Sequence, residues 1–329
     1  MNDPPSFAQS GAAYKVLAFY KFASLPDCDT LKPVLAIFCC ARGIKGTFIL
    51  APEGINGTVA GRPEAIDALM DFFERDPVWQ GRLAGAEAKF SFAEDAPFYR
   101  MKVRLKPEIV TLRAPEADPS QRVGTYVRPA DWNALISRND VLVIDTRNDY
   151  EVKLGTFLNA RDPATRHFTE FKEYVARLDP EKTPKVAMFC TGGIRCEKAS
   201  SYMLAHGFKE VFHLEGGILR YLEEVPEAES RFKGECFVFD ERVSVGHGLE
   251  QGHARLCRAC RLPMRPEEAE GDLCPDCAKN PPQGALERER QIALARARGE
   301  AHLGDAAAEA ARANKAKKHA RRERSRGTG

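Results

Sequence analysis

Along the 329-residue chain, apolar positions recur with the alternating period of strands in some stretches and with the period of helices in others, and the order of these runs divides the sequence. Tyr14-Lys15-Val16-Leu17-Ala18-Phe19-Tyr20-Lys21-Phe22 has strand composition, and after Pro26-Asp27 the residues Leu31, Val34, Leu35, Ile37 and Phe38 follow helical spacing. Residues 46–50 predict a second strand, the Pro-, Asn- and Gly-bearing residues 51–57 a turn, and residues 58–60 a returning third strand. Arg62-Pro63-Glu64 opens another helix with Ile66, Leu69, Met70 and Phe73 on one face, and residues 88–92 close the unit as a fourth strand. The order β-α-β-β-α-β is that of a ferredoxin-like α+β sandwich, assigned to residues 14–106.

At the end of that unit the alternation is strict, with Arg100, Lys102, Arg104 and Lys106 on one face and Tyr99, Met101, Val103 and Leu105 on the other. Such a row can track a phosphate backbone, or it can be the charged edge of a sheet guarded against aggregation. A Pro-rich connection then leads to an alternating α/β pattern: a short helix at 129–133, a buried strand at 141–145, and further strands at 186–189 and 210–214. Helical stretches at 168–178 and 198–206 alternate with these strands. This pattern predicts a doubly wound α/β domain over residues 123–226, in which ligands sit at the carboxyl ends of the strands.

Beyond Ser230 the composition changes again, giving a Cys-rich segment over 230–282 and a tail over 283–329. The formal net charge is only +2, but from Arg312 to Arg326 the sole acidic residue is Glu323. That helical or disordered tail, with Lys317, Lys318, Arg321 and Arg322, suits nucleic acid, as does the row Arg100, Lys102, Arg104 and Lys106. The first residues lack the basic and apolar regions of a secretion signal, and no apolar run approaches membrane-spanning length. A cytoplasmic protein without membrane contact is expected, with its ten cysteines reduced and engaged in chemistry or metal binding; no obligate protein partner is evident.

Two groups of cysteines carry candidate chemistry. Cys190 stands where a strand ends and a helix is about to begin, so unpaired amides and the positive helix end favour its thiolate. Thr191, Gly192, Gly193 and Ile194 complete a loop that can curl its amides around one anion, and Arg195 adds a permanent charge. The ordinary alternative is a buried core cysteine. Cys257-x-x-Cys260 and Cys274-x-x-Cys277 are spaced as two knuckles that supply four thiolates to one structural Zn²⁺. Cys236, His247 and His253 lie nearby in sequence but are not counted as ligands.

The ordered set Asp145-Thr146-Arg147, Glu151, Gly155, Asn159-Ala160, Cys190–Arg195, Gly207-Phe208 and Leu214-Glu215-Gly216-Gly217-Ile218 resembles the motifs of a rhodanese domain. Asp145, Arg147 and Glu151 are read as an ion-pair set that supports the loop. The loop runs Cys-x4-Arg, one residue shorter than in phosphatases of that fold. Several further features do not belong to a plain sulfurtransferase: Ala51-Pro52-Glu53-Gly54-Ile55-Asn56-Gly57-Thr58, an extended 190–200 loop with a second cysteine, Gly234-Glu235-Cys236-Phe237-Val238-Phe239-Asp240, and the paired knuckles. Together, over residues 14–280, they resemble the bacterial tRNA uridine-34 hydroxylase family of rhodanese-domain proteins.

The resemblance implies O2-dependent hydroxylation of the tRNA wobble uridine to 5-hydroxyuridine, with Cys190 in the active site and the anticodon loop as partner. Addition of a thiolate to uracil C6 makes C5 nucleophilic, and the loop amides with Arg195 are placed to stabilise the O4 anion. No flavin or nicotinamide signature and no 2-His-1-carboxylate iron pattern stands out. Cys196 is either a resolving thiol for an oxidised Cys190 or a packed helix residue. The competing functions are a sulfurtransferase carrying a Cys190 persulfide and a non-catalytic RNA-binding protein. The hydroxylase reading requires a cavity beside Cys190 that can accept a nucleobase, with positive surface leading to it.

Overall fold

The computed structural model describes residues 13–183, 185–280, 282 and 284, and the chain divides into two compact units between Ala254 and Arg255. The first unit opens with β1 (Tyr14–Phe22), α1 (Cys28–Ala41), β2 (Lys45–Ala51), β3 (Gly54–Gly61), α2 (Pro63–Arg75), β4 (Glu87–Ala93) and β5 (Met101–Leu105). These strands form one sheet in the order β4-β1-β3-β2-β5. Alternation turns Leu17, Phe19, Phe48, Leu50 and Val59 toward the helices, where they pack with Leu31 and Leu35 of α1 and with Ile66, Leu69 and Phe73 of α2. The opposite face, with Ala18, Thr47, Asn56, Thr58 and Lys89, is left for other company.

One expectation is corrected here. The predicted turn over 51–57 shrinks to Pro52-Glu53, because β3 starts at Gly54 and pairs with β2 from Ala51↔Gly54 onward. The basic run, whose strict alternation reads as a strand, lies parallel to β2 at one edge of the sheet, a fifth strand beyond the four of the β-α-β-β-α-β order.

The chain then forms β6 (Thr125–Val127), α3 (Pro129–Ile136), β7 (Leu142–Asp145), α4 (Asp149–Val152), β8 (Gly155–Phe157), α5 (Phe171–Val175), β9 (Lys185–Phe189), α6 (Ile194–Ala205), β10 (Glu210–Leu214) and α7 (Gly217–Glu224). Strands β6-β10-β9-β7 make a parallel sheet in that order. Both of its faces are buried: Val186 and Met188 of β9 enter one apolar cluster, Ala187 and Phe189 another, which is why the strand reads as an unbroken apolar run. The helix predicted over 168–178 is divided into a 3₁₀ turn, Phe168–Glu170, and α5. The helix predicted over 198–206 starts earlier, at Ile194. Strand β11 (Phe232–Gly234) pairs with β8, so the chain past Ser230 still belongs to the first unit.

The second unit contains the antiparallel pair Arg255–Leu256 with Pro263–Met264 and a short helix, Pro275–Lys279. Its buried cluster consists of Cys257, Met264 and Cys277. Among the described residues no helix is long and apolar enough to cross a membrane.

Candidate active site

Cys190 follows β9 directly, at the carboxyl end of the parallel sheet, and α6 begins four residues later with Gly193 as its N-cap at φ +100°. A side chain at that φ would strain the turn, so glycine is what lets the chain reverse and point its amide at the sulfur. The Gly193 N–H donates to Cys190 Sγ at 3.1 Å. From below, the Ile218 and Leu219 amides of α7 donate to the Cys190 and Thr191 carbonyls at 2.9 and 3.0 Å. Gly217 makes this approach possible, since a β-carbon there would lie 2.6 Å from the Cys190 carbonyl oxygen and 2.7 Å from that of Thr191.

Burial pushes the Cys190 thiol up, but hydrogen bonding with the Cys196 thiol, the Arg195 charge and the Cys196 and Arg195 amides outweigh it and bring the pKa down to about 6. Cys196 moves the opposite way, raised by burial and by its neighbour's negative charge. At neutral pH the pair is therefore a thiolate at 190 and a thiol at 196. Cys196 lies in the first turn of α6, not in the extended loop that the sequence suggests, with Thr146 Oγ1 3.6 Å from its sulfur.

The ion-pair set expected behind the loop separates into two. Arg195 donates to both carboxylate oxygens of the fully buried Glu151, at 2.8 and 3.1 Å, and Thr191 Oγ1 and the Asn148 amide donate to the same carboxylate at 3.4 and 3.0 Å. Arg147 instead pairs with Asp145, at 2.7 and 2.9 Å, and reaches the Gly155 carbonyl, joining β7 to β8. Arg195 thus lends its positive field to Cys190 while Glu151 fixes its orientation.

Although Cys190 is only 1% exposed, it lines a cavity of about 450 Å³, within the range of small-molecule sites. The other wall is the open face of the ferredoxin-like sheet, including Tyr20, Asn56 and Lys89, and Phe239, 57% exposed, adds an aromatic ring. Arg195 lies 5.9 Å from the centre of that ring. A thiolate in an amide-lined loop therefore faces an aromatic- and cation-bearing cavity made by two domains.

A family profile described as "UPF0176 acylphosphatase like domain" matches residues 14–109, and one described as "Rhodanese-like domain" matches residues 129–224. A Teredinibacter turnerae protein named tRNA uridine(34) hydroxylase is 54% identical over 305 residues, 89% of this chain and 94% of its own length. Proteins of the same name from Mesorhizobium japonicum and Acaryochloris marina are 56% and 50% identical, each over 88% of this chain and 96% of their own. The chain belongs to the tRNA uridine(34) hydroxylase family. Among solved structures, a rhodanese-related protein from Thermoplasma volcanium is 26% identical, covering 31% of this chain and 93% of its own, with a TM-score of 0.27.

In this hydroxylase-family chain the N-terminal sheet supplies groups that the motif around Cys190 does not announce. Lys89, 8% exposed, donates to the Gly192 carbonyl at 3.0 Å and to Glu87 at 3.2 Å, and burial lowers its pKa despite the Glu87 and Cys190 charges. Tyr20 and Tyr126 both donate to Glu197 of α6, at 3.1 and 2.8 Å, and burial raises that carboxyl. The next residue, Lys198, donates to Glu53 at 2.8 Å and to Glu108 at 2.6 Å. The only sequence signal for Lys89 is its place opposite Ala88 and Phe90, which reads equally as a solvent-facing position.

The remaining candidates are placed as follows. Lys102 and Arg104 lie in β5 and Arg100 and Lys106 flank it, and none of the four lines the cavity itself. Lys317, Lys318, Arg321 and Arg322 lie outside the described residues. The sulfurs of Cys257, Cys260, Cys274 and Cys277 all come within 4.8 Å of one another, and the Cys274 amide donates to Cys257 Sγ at 3.4 Å. Four converging sulfurs at this spacing fit one tetrahedral metal ion. Cys236 is instead buried in the first unit and His253 pairs with Glu235.

Proposed function

We propose that this chain hydroxylates C5 of the wobble uridine of tRNA, with Cys190 as the nucleophile. The observation that carries the reading is the sulfur held as thiolate by loop amides on the wall of a cavity large enough for a pyrimidine. Cys190 adds to C6, and the electron pair of the C5=C6 bond moves toward O4, where Arg195 and the loop amides stabilise the anion. C5 takes up one oxygen atom from O2, and an external dithiol reductant, oxidised to its disulfide, supplies the two electrons and two protons that turn the second atom into water. Loss of the C5 proton and departure of the thiolate restore the double bond. Cys196, kept protonated beside Cys190, serves outside this cycle: it condenses with a Cys190 sulfenic acid formed by stray oxidation, giving a disulfide and water. The wobble base lies in the single-stranded anticodon loop, so entry into the cavity needs no opening of a duplex. The four clustered cysteines hold a structural Zn²⁺, which fills its coordination with thiolates and leaves no open position for catalysis.

Mass spectrometry of tRNA nucleosides from a strain lacking the protein tests the reading. Loss of 5-hydroxyuridine and its derivatives is expected, restored by the wild-type chain and not by Cys190→Ser. Retention of these nucleosides with Cys190→Ser would end this mechanism, and loss of thiolated uridine in their place would favour sulfur transfer.

A further inference from the structure

The sheet that forms half of the cavity wall does not stop at the cavity. Its strand registers align Lys89 of β4 with Ala18 of β1, Ala18 with Thr58 of β3, Thr58 with Thr47 of β2, and Thr47 with Lys102 of β5. In the next row Tyr20, Asn56, Ile49 and Arg104 are aligned in the same way. Cross-strand partners share a face, so Lys102 and Arg104 lie on the face that carries Thr47, Ile49, Asn56 and Thr58, all of which line the cavity of Cys190. The other face is filled by α1 and α2, toward which Met101 and Val103 of β5 point. Neighbouring strands are about 4.8 Å apart, so the row from Lys89 to Lys102 spans about 19 Å.

We propose that this face is a platform for single-stranded RNA, on which the nucleotides flanking the wobble base cross β3 and β2 while their phosphates meet Lys102 and Arg104. The proposal rests on the hydroxylase reading and adds the path of the substrate to it. Two features select RNA as the occupant. The surface is continuous with the cavity that must receive the base, and it ends in cations, as a polyanion requires. Half-buried, uncharged Thr47 and Ile49 between the two ends give bases a surface on which to lie, as open sheets do in RNA-binding domains, while Asn56, which donates to the Ile109 carbonyl at 3.0 Å, closes the row on its side. The competing account of the same cations is protection of an edge strand, which predicts no effect on RNA binding.

The test compares the full chain with the double variant Lys102→Gln/Arg104→Gln and with Lys32→Gln, a cation exposed on α1 on the opposite side of the sheet. Binding of a fluorescent anticodon stem-loop with uridine at the wobble position is titrated by anisotropy at several salt concentrations. The double variant should bind more weakly and lose about 1.4 from the salt slope, at about 0.7 per cation on a single strand. Lys32→Gln should match wild type, and Cys190 should be alkylated at the wild-type rate in all three proteins. A 4-thiouridine beside the wobble position should photocrosslink to residues 45–58. A double variant with the wild-type affinity and slope would overturn the platform while leaving the hydroxylase reading intact. A wild-type chain that neither binds nor modifies the stem-loop would overturn both.

Discussion

The reactivity of Cys190 comes from its surroundings, since an exposed thiol ionises near pH 8.5 and this one is drawn down to about 6. The sign is that of an acid whose anion is stabilised: thiolate is present above the lowered pKa and is lost as pH falls through it. The rate of Cys190 alkylation by iodoacetamide should therefore rise with a midpoint near 6, resolved by peptide mass spectrometry from the buried thiols around it. Lys89 adds its positive charge from the far wall, and its contact with Gly192 fixes the loop carbonyl nearest the cavity. Lys89→Met should raise the alkylation midpoint, by about one unit at most because Arg195 and the amides remain. A midpoint unchanged in that variant would show that the N-terminal sheet only encloses the site and does not tune it.

At the scale of elements, α6 presents its N-terminus to the Cys190 thiolate and is bolted to the N-terminal sheet by Glu197 and Lys198 in its first turn. Burial works against the Glu108 carboxylate, yet the Lys198 hydrogen bond and the Leu112 and Arg113 amides lower its pKa overall. Lys198→Met leaves Glu53 and Glu108 facing the same space without a cation. Water reaches both, at 29% and 19% exposure, so the loss should be about 1–3 kcal/mol, read as a lower urea midpoint at unchanged slope. How legible each element was follows from its local pattern. Helix α2 shows a single apolar face with Pro63 at its start, and its opening at Arg62-Pro63-Glu64 was readable. The start of α6 was not, because nearly every residue from Cys196 to Leu204 is buried and no amphipathic stripe marks the first turn. The alternation of β5 was plain, but its parallel pairing with β2 depends on residues some fifty positions away, which no local period reports.

For the whole molecule the same distinction separates the two candidate sites. The loop around Cys190 was readable because strand, glycines, arginine and helix are contiguous, whereas the opposite wall of its cavity was not. Lys89 and Gly192 are 103 positions apart and Tyr20 and Glu197 are 177 apart, so only the fold brings them together. The cysteine cluster was readable for the opposite reason, since its four sulfurs come from two short knuckles close in sequence. A metal ion held by that set is expected to stabilise the second unit. Its buried cluster is Cys257, Met264 and Cys277, and two of these three are proposed ligands. So small a buried cluster makes an ion shared by the four cysteines the expected support of residues 255–280, as in small thiolate domains generally. Chelation of the purified full-length protein should release zinc and bring fast amide exchange to residues 255–280, while β9 keeps its protection. Cys274→Ser should reproduce that exchange pattern without a chelator. Slow exchange over 255–280 in demonstrably metal-free protein would mean that the four cysteines are not what holds this unit together.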